Sequence, residues 1–331
     1  MAMSEPVPLC VLGLGLIGGS LLRSAAADRP ACGWSPSEAT RTGARSDGFE
    51  VAESLSAALA AAADRDALVV LAAPWPAFDQ LLAAVAAGAP QTRLTDVASV
   101  KAPVAELVSR RAPAARYIGG HPMAGTSHSG WAAGSAELFT DAAWVTTLDE
   151  DSDLEVWADV AELALAAGSR VVPVEAGPHD AAVARISHLP HLLALALAQV
   201  ATDGGPLALA LAAGSFADAT RVAGTRPELV RAMCETNADA LVPALDDALG
   251  LLGVARASLA STGSLAKLTE AGHTAWLDYD RRGADLAPIT LTGPDLVEQL
   301  LSVGALGGHV SAVDRGAGLS ATGWTPPLDP G

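Results

Sequence analysis

Residues Val7–Ala27 read VPLCVLGLGLIGGSLLRSAAA, and the fold turns on them. Val7 to Leu12 is a short, uniformly apolar run without the one-sided stripe of a surface helix, so it reads as a strand buried on both faces. Gly13 ends it, and from Leu16 the chain is rich in the leucine and alanine of a helix. Between strand and helix lies Gly13-x-Gly15-x-x-Gly18. Gly13 allows a tight turn, Gly15 lets the backbone approach a pyrophosphate, and Gly18 lets helix and strand pack closely. The start of the helix then turns its free N–H groups to the phosphates. Strand, glycine loop and helix in this order predict a dinucleotide site for NAD(P)+, with Gly13, Gly15, Leu16, Ile17 and Gly18 around it.

Outward from that loop, strand and helix alternate. ACGW (31–34) is a short strand, and SPSEATRTGARSDG (35–48) a helix with Ser35 as cap and Pro36 at its first position. DALVVLAAP (66–74) is a second continuous apolar strand, and its closing Ala73 and Pro74 join the expected cofactor contacts. A helix over 77–88, the strand TRLTDVAS (92–99), a helix over 101–112 and the short strand RYIGG (116–120) follow. AAWVTTL, a helix over 154–167 and SRVVPV are expected to extend the same sheet. This spacing predicts an α/β fold with a Rossmann-type, doubly wound parallel sheet. An NAD site usually carries an acid at the end of the second strand. Here that place is near Ser35, and Ser35, Ser37 and Arg41 suit a 2′-phosphate, so NAD versus NADP stays open.

After Gly177 the pattern is helical only, with long apolar stretches over 181–201, 207–213, 227–253 and 254–269. From Pro288 a small βαββ pattern appears: PITLTG, PDLVEQLLSVGA, GGHVSAVD and GLSATGW. The expected division is residues 1–177, 178–287 and 288–331. Helices over 181–269 carry more apolar surface than one small bundle can hide, so a homodimer through the helical domain is expected.

Composition narrows the function classes. The net charge of −17 argues against nucleic acid and anionic membranes as partners, though it leaves room for a local anion site. Much of the 50% hydrophobic content is alanine, and the apolar runs fall short of the roughly 20 residues of a membrane span, so no membrane partner is expected. No basic segment precedes an apolar core near Met1, so no secretory leader is expected. Cys10, Cys32 and Cys234 lack paired spacing and read as reduced, buried thiols of a cytoplasmic protein.

Ligands of such sheets sit beyond the carboxyl ends of the strands. DVASVK offers Asp96, Ser99 and Lys101 there, and YIGGHPMAGTSHSGW (117–131) offers His121 in a glycine-rich loop. A hydride leaves an alcohol carbon only as the hydroxyl proton is removed, and a histidine titrating near neutrality suits that task. His121 is therefore the candidate base, with Ser99 placed to hydrogen-bond the same hydroxyl or the imidazole and to border the cofactor. The helical half adds His188 and His191 in SHLPH, expected on one helix face, and SFADATRVAG with Asp218 and Arg221, flanked by Gly214. No Cys or carboxylate cluster supplies a third ligand to the two histidines, so no metal site is expected.

The series GLGLIGGS, DVASVK, GGHPMAGTSHSG, SHLPH and SFADATRVA closely resembles the prephenate/arogenate dehydrogenases of tyrosine biosynthesis, the TyrA family. The resemblance runs from about Leu9 to Leu286. It implies a Rossmann-type domain followed by an all-helical dimerisation domain. The implied reaction is the NAD(P)+-dependent oxidative decarboxylation of prephenate to 4-hydroxyphenylpyruvate, with arogenate, giving tyrosine directly, as the alternative. Carried over by motif, His121 is the base and Ser99 orients it. Arg221 pairs with the ring carboxylate, and His188, His191, Gly214, Asp218, Thr126 and Ser127 lie around the substrate. Two departures leave the side-chain preference open: Ser127 stands where many prephenate enzymes carry an acid, and Val230-Arg231 where a Trp-Arg pair is common. No chorismate mutase segment is expected before Leu9, and the tail is short for an ACT regulatory domain. A 3-hydroxyacid-type dehydrogenase would use a lysine in the helical half, where only Lys267 stands and no motif supports it. A non-catalytic NAD(P) sensor would not need His121, Ser99 and Arg221 together.

Overall fold

The computed structural model describes residues 5–126, 128–316 and 318–327. Ser127, one of the substrate candidates, lies outside them. The described chain divides into two compact units, Met1–His179 with Leu286–Gly331, and Asp180–Asp285.

The first unit opens with β1 (Leu9–Leu12), α1 (Leu16–Ala25), β2 (Ala31–Trp34), α2 (Glu38–Ser46), β3 (Glu50–Val51), α3 (Leu55–Asp64) and β4 (Leu68–Leu71). It continues with α4 (Phe78–Gly88), β5 (Arg93–Asp96), α5 (Ala102–Arg111) and β6 (Arg116–Tyr117). These six strands form one sheet in the order β3-β2-β1-β4-β5-β6, every pairing parallel. The order reverses between β1 and β4, which opens a crevice at their carboxyl ends. Both strands are wholly buried because their apolar runs feed two cores. Leu9, Val11, Leu68 and Val70 point to one, while Cys10, Leu12, Val69 and Leu71 point to the other, against α3, α4 and α5. At roughly 1.5–3 kcal/mol for each fully buried Val or Leu, this two-sided burial holds the central strands in place. Cys10 and Cys32 face each other on β1 and β2 as free thiols. Their shared hydrogen bond, and then burial, push the Cys10 thiol well above its ordinary range.

A second sheet follows. β7 (Gly120–Pro122), β8 (Ala143–Thr147), α6 (Leu154–Ala166) and β9 (Arg170–Val174) are joined by β10 (Ala287–Thr292), α14 (Leu296–Ala305), β11 (His309–Asp314) and β12 (Ser320–Thr325), the helices α7–α13 lying between β9 and β10. Its order is β10-β12-β11-β9-β8-β7, with β8 and β9 parallel and the other pairings antiparallel. AAWVTTL and SRVVPV therefore do not extend the first sheet. They found another, whose inner face shares a core with the first through Trp144, Val171, Leu291 and Val310. The tail from Pro288 has the four elements expected, but it groups with the first unit and completes the second sheet. Its Arg315 binds Asp159, whose side chain is fully buried, and Glu162, both on α6.

The chain from β9 to β10 is helical: α7 (Ala176–Val183), a π-helical turn (Ala184–His188), α8 (Leu189–Asp203), α9 (Gly205–Ala210) and α10 (Gly214–Thr220) come first. α11 (Pro227–Thr236), α12 (Ala238–Ser261) and α13 (Ala266–Asp280) complete it. The expected break between 253 and 254 is absent. Asn237 separates α11 from α12 instead, and Pro190 is the second residue of α8, directly after the π-helical turn. Ala176–Asp203 joins into one helical run of 28 residues, whose most apolar window has a mean hydropathy of 1.4 and is 22% buried. By length and composition this run is long enough to cross a membrane, which the shorter apolar stretches in the sequence did not suggest.

Candidate active site

The glycine loop has the geometry its spacing predicts. Gly13 lies at φ +114°, and a Cβ there would meet the Ala72 carbonyl oxygen at 2.5 Å. A Cβ on Gly18 would come within 1.9 Å of the Gly13 oxygen, so strand and helix can approach this closely only at glycine. Gly15 faces open space. α1 begins with no side-chain cap and no acid in its first turn, so its N–H groups stay available to a phosphate. Leu16 and Ile17 are half-buried beside the loop, and Ala73 and Pro74 follow β4 across the crevice. The loop's chemistry fits a dinucleotide.

At the end of β2 one expectation needs correction. Ser37, not Ser35, caps α2, accepting from the Thr40 N–H at 3.2 Å. Ser35 is buried and accepts from the Ser37 N–H at 3.3 Å, while the Arg41 guanidinium donates to the carbonyls of Ser35 at 2.7 Å and Pro36 at 3.1 Å. Pro36 lies just before the cap because the second serine reaches the helix N–H groups and the first does not. The residue directly after Trp34 is Ser35 and not an acid.

At the carboxyl end of β5 lies a buried polar network. Asp96, the last residue of β5, and Lys101, just before α5, are both fully buried and paired at 2.5 Å. The Tyr117 hydroxyl donates to the other Asp96 oxygen at 2.6 Å, and the Ala98 N–H to the first at 2.7 Å. The same two charges hold both polar groups of one peptide residue. Lys101 Nζ donates to the Gly120 carbonyl at 2.5 Å, and the Gly120 N–H points to Asp96 Oδ2 at 3.4 Å. Gly120 must be small, since a Cβ there would lie 2.5 Å from the Asp96 carbonyl.

The next residue is His121. It lies on a strand, β7, and not in the loop that its glycine and proline neighbours suggested, because Gly120–Pro122 pairs antiparallel with β8. Its side chain is 9% exposed. His121 Nδ1 lies 2.9 Å from His179 Nε2, and the two rings meet edge to face at 80°. His179 follows β9 on α7 and is itself 3% exposed. The sequence offered no sign of this partner, since a single histidine after a Gly-Pro step resembles a linker residue. Ser99 lies half-buried between β5 and α5, and Thr126 is exposed, accepting from the His128 N–H at 3.2 Å.

In the second unit the two SHLPH histidines part company. His188 is fully buried, and the Asn237 amide donates to its Nδ1 at 3.0 Å and to the Asp180 carbonyl at 2.9 Å. Its ring proton therefore sits on Nε2. His191 is half-buried and donates from Nδ1 to the Ser187 carbonyl at 2.9 Å, which leaves Nε2 toward Thr225 Oγ1 at 3.5 Å. His188 closes the π-helical turn and His191 lies in the first turn of α8, so the two follow one another along the helix but differ in burial and in partners. Gly214 opens α10 and Asp218 lies exposed along it. Arg221 begins a 3₁₀ turn, Arg221–Gly224, and is exposed, with no ion pair among the described residues. Asn237 is a second residue that the sequence did not mark, since it reads as part of a continuous helix. Among the described residues no group of three or more His, Cys, Asp or Glu side chains could hold a metal ion.

Residues 19–173 match the profile of the prephenate dehydrogenase nucleotide-binding domain, beginning just after the glycine loop. Residues 175–262 match that of the prephenate dehydrogenase dimerization domain. A cyclohexadienyl dehydrogenase from Zymomonas mobilis is 32% identical over 262 residues, covering 76% of this chain and 88% of that protein. The crystal structure of a candidate prephenate dehydrogenase from Corynebacterium glutamicum superposes with a TM-score of 0.86 at 46% identity, covering 92% of this chain and 98% of the other. A Synechocystis arogenate dehydrogenase superposes at 0.69 and 31% identity, over 83% and 99% of the two chains. With both of its units matched in order, the chain belongs to the prephenate dehydrogenase family.

Proposed function

We propose that this chain oxidises and decarboxylates prephenate to 4-hydroxyphenylpyruvate with NAD(P)+, with His121 as the base. One observation carries the reading: a buried imidazole stands at the carboxyl end of the parallel sheet, on a strand whose preceding peptide is held by the Asp96–Lys101 pair. The Gly13–Gly18 loop and the start of α1 would hold the pyrophosphate, with Ala73, Pro74 and Ser99 along the crevice and Ser35 and Arg41 near the ribose. NAD(P)+, when bound, accepts the hydride from the ring carbon that bears the hydroxyl. His121 takes the hydroxyl proton as the carbonyl forms. Release of CO2 then drives the ring to aromatise, and His121 returns the proton to the phenolic oxygen. Arg221 pairs with the ring carboxylate, since a guanidinium fits a carboxylate with two parallel hydrogen bonds. Ser99 orients the hydroxyl, and His191, Asp218, Gly214, Thr126 and Ser127 are the further substrate-binding candidates that the motifs supply. His188, tied to Asn237, shapes the helix seam from which His191 emerges.

A second reading takes arogenate, giving tyrosine directly. The neutral Ser127, in place of an acid, favours neither a keto acid nor an ammonium side chain. The reading is further of a cytoplasmic homodimer joined through the helical unit, supported by the apolar residues exposed there and by three free thiols. Turnover of prephenate and arogenate with NAD+ and NADP+, measured side by side, tests substrate and cofactor together. His121→Asn should lower kcat by about 10²-fold or more while cofactor binding holds, and Arg221→Ala should raise KM with His121 intact. Normal turnover by His121→Asn at neutral pH would sink the base assignment.

A further inference from the structure

We infer that His179 is a positioning residue for the reaction, fixing the tautomer of His121 and stabilising its protonated form. The inference rests on His121 being the base. The rings meet through His121 Nδ1 and His179 Nε2 at 2.9 Å, with both side chains buried. Of two imidazole nitrogens at that distance, one must donate and the other accept. If His179 donated, the proton of neutral His121 would sit on Nε2, and its one lone pair, on Nδ1, would be taken up by His179 and closed to an alcohol proton. Only the opposite arrangement gives a base. His121 donates from Nδ1–H to His179 Nε2, and His121 Nε2 takes the substrate's proton.

Proton uptake strengthens the same contact. The O–H bond of the substrate breaks, an N–H bond forms at His121 Nε2, and the resulting cation donates from Nδ1 in a charge-assisted hydrogen bond. The role is that of the aspartate behind a catalytic histidine, played by a neutral ring. Nearby, Asp96 and Lys101 are engaged with each other and with Gly120, so they hold the backbone while His179 holds the ring. The pair is also well anchored: His121 is fixed on β7, and His179 is in the first turn of α7, which directly follows β9, two strands away in the same sheet.

The test compares His179→Leu, which removes the acceptor, with His179→Gln, whose amide oxygen can still accept. Both are made alone and in the His121→Asn background, with melting temperature and cofactor affinity recorded for each. His179→Leu should lower kcat by about 10–10²-fold and change KM and cofactor affinity by less than about twofold. His179→Gln should recover about tenfold of that loss. In the His121→Asn background, His179→Leu should cost no more than about twofold further, because its effect passes through the imidazole. Full kcat in His179→Leu would overturn the inference, as would an equal loss in both backgrounds or a Gln variant no better than Leu. If His121→Asn itself turns over normally, the base reading falls and takes this inference with it. A dead His121→Asn beside an unimpaired His179→Leu removes this inference alone. Should His179→Leu fail to fold, His179→Asn, one methylene too short to reach, takes its place against Gln.

Discussion

In the first unit nearly every large apolar side chain of the central strands is hidden, and charged groups such as Asp96, Lys101 and Asp159 are buried in pairs. In the second unit the buried apolar cluster is small, formed by Ala184, Val230, Cys234, Leu241 and Ala244. Leu207 and Leu211 are 71% and 73% exposed there, and Val200, Leu251, Leu252, Val254 and Trp276 are exposed too. The contrast separates two kinds of completeness. One unit hides its apolar side chains and pairs its buried charges within itself. The other displays apolar faces that a single copy does not cover.

The tail gives the largest way to break this contrast. Truncation after Asp285 removes β10–β12 and α14, so β9 loses a partner strand and buried neighbours of Leu300, Val303 and Val310 lose their cover. Asp159, fully buried, would lose Arg315 and keep Arg93. The first unit should then fail to melt cooperatively at all, measured by circular dichroism. A truncated protein that melts like the full chain would mean that the second sheet is stable without its outer strands.

Lys101→Met sharpens the same contrast at one residue. It leaves the Asp96 carboxylate buried with no cation and takes a donor from the Gly120 carbonyl. Breaking a buried pair from one side costs about 3–5 kcal/mol, and the three donors that Asp96 keeps place this case at the lower end. Urea denaturation should show that loss, and kcat should fall with it as β7 is freed. Asp96→Asn added to Lys101→Met removes the stranded charge and should restore part of the stability. Equal stability in the two variants would show that charge burial is not what holds this end of the sheet.

How much of this could be read in advance depends on where each residue's partner lies. The β1–α1 loop was legible because its strand, glycines and helix are contiguous and each has its own physical reason. The cap of α2 was misplaced by two residues because two serines flank one proline, and only the Ser37 oxygen reaches the Thr40 N–H. β3 and α3 escaped notice, the one being two residues long and the other nearly all alanine, with little polar contrast to show a period. The second sheet could not be foreseen from local pattern, since β8 and β9 read as ordinary strands and their neighbours come from β7 and from the tail. Distance in sequence hid the partners of the site as well. His179 meets His121 across 58 residues, and Asn237 meets His188 across 49. His188 and His191 show that spacing alone fixes neither burial nor tautomer.

The smallest effect on folding should come from the face that most distinguishes the second unit. Leu251 and Leu252 on α12 are 58% and 55% exposed, so Leu251→Glu with Leu252→Glu buries no charge within one copy. Substitutions at such positions change stability by no more than about 0.5 kcal/mol each. If a second copy covers this face, however, two glutamates placed in an apolar interface oppose association on both sides of a two-fold contact. Sedimentation at micromolar concentration should therefore find a dimer in the parent chain and a monomer in the variant, with unchanged helix content by circular dichroism. A parent chain that sediments as a monomer would leave the exposed leucines without a cover. A variant that remains dimeric would move the contact to α8, α9 or α13, where Val200, Leu207, Leu211 and Trp276 are exposed. The helical run Ala176–Asp203 adds a control, because it is long and apolar enough for a bilayer by composition alone. It also carries Asp180, Arg185, His188 and His191, which suit an aqueous interface better than hydrocarbon. Mixing the parent chain with neutral vesicles should leave it in the supernatant as a dimer, and binding to the vesicles in place of dimerisation would reassign that face to lipid.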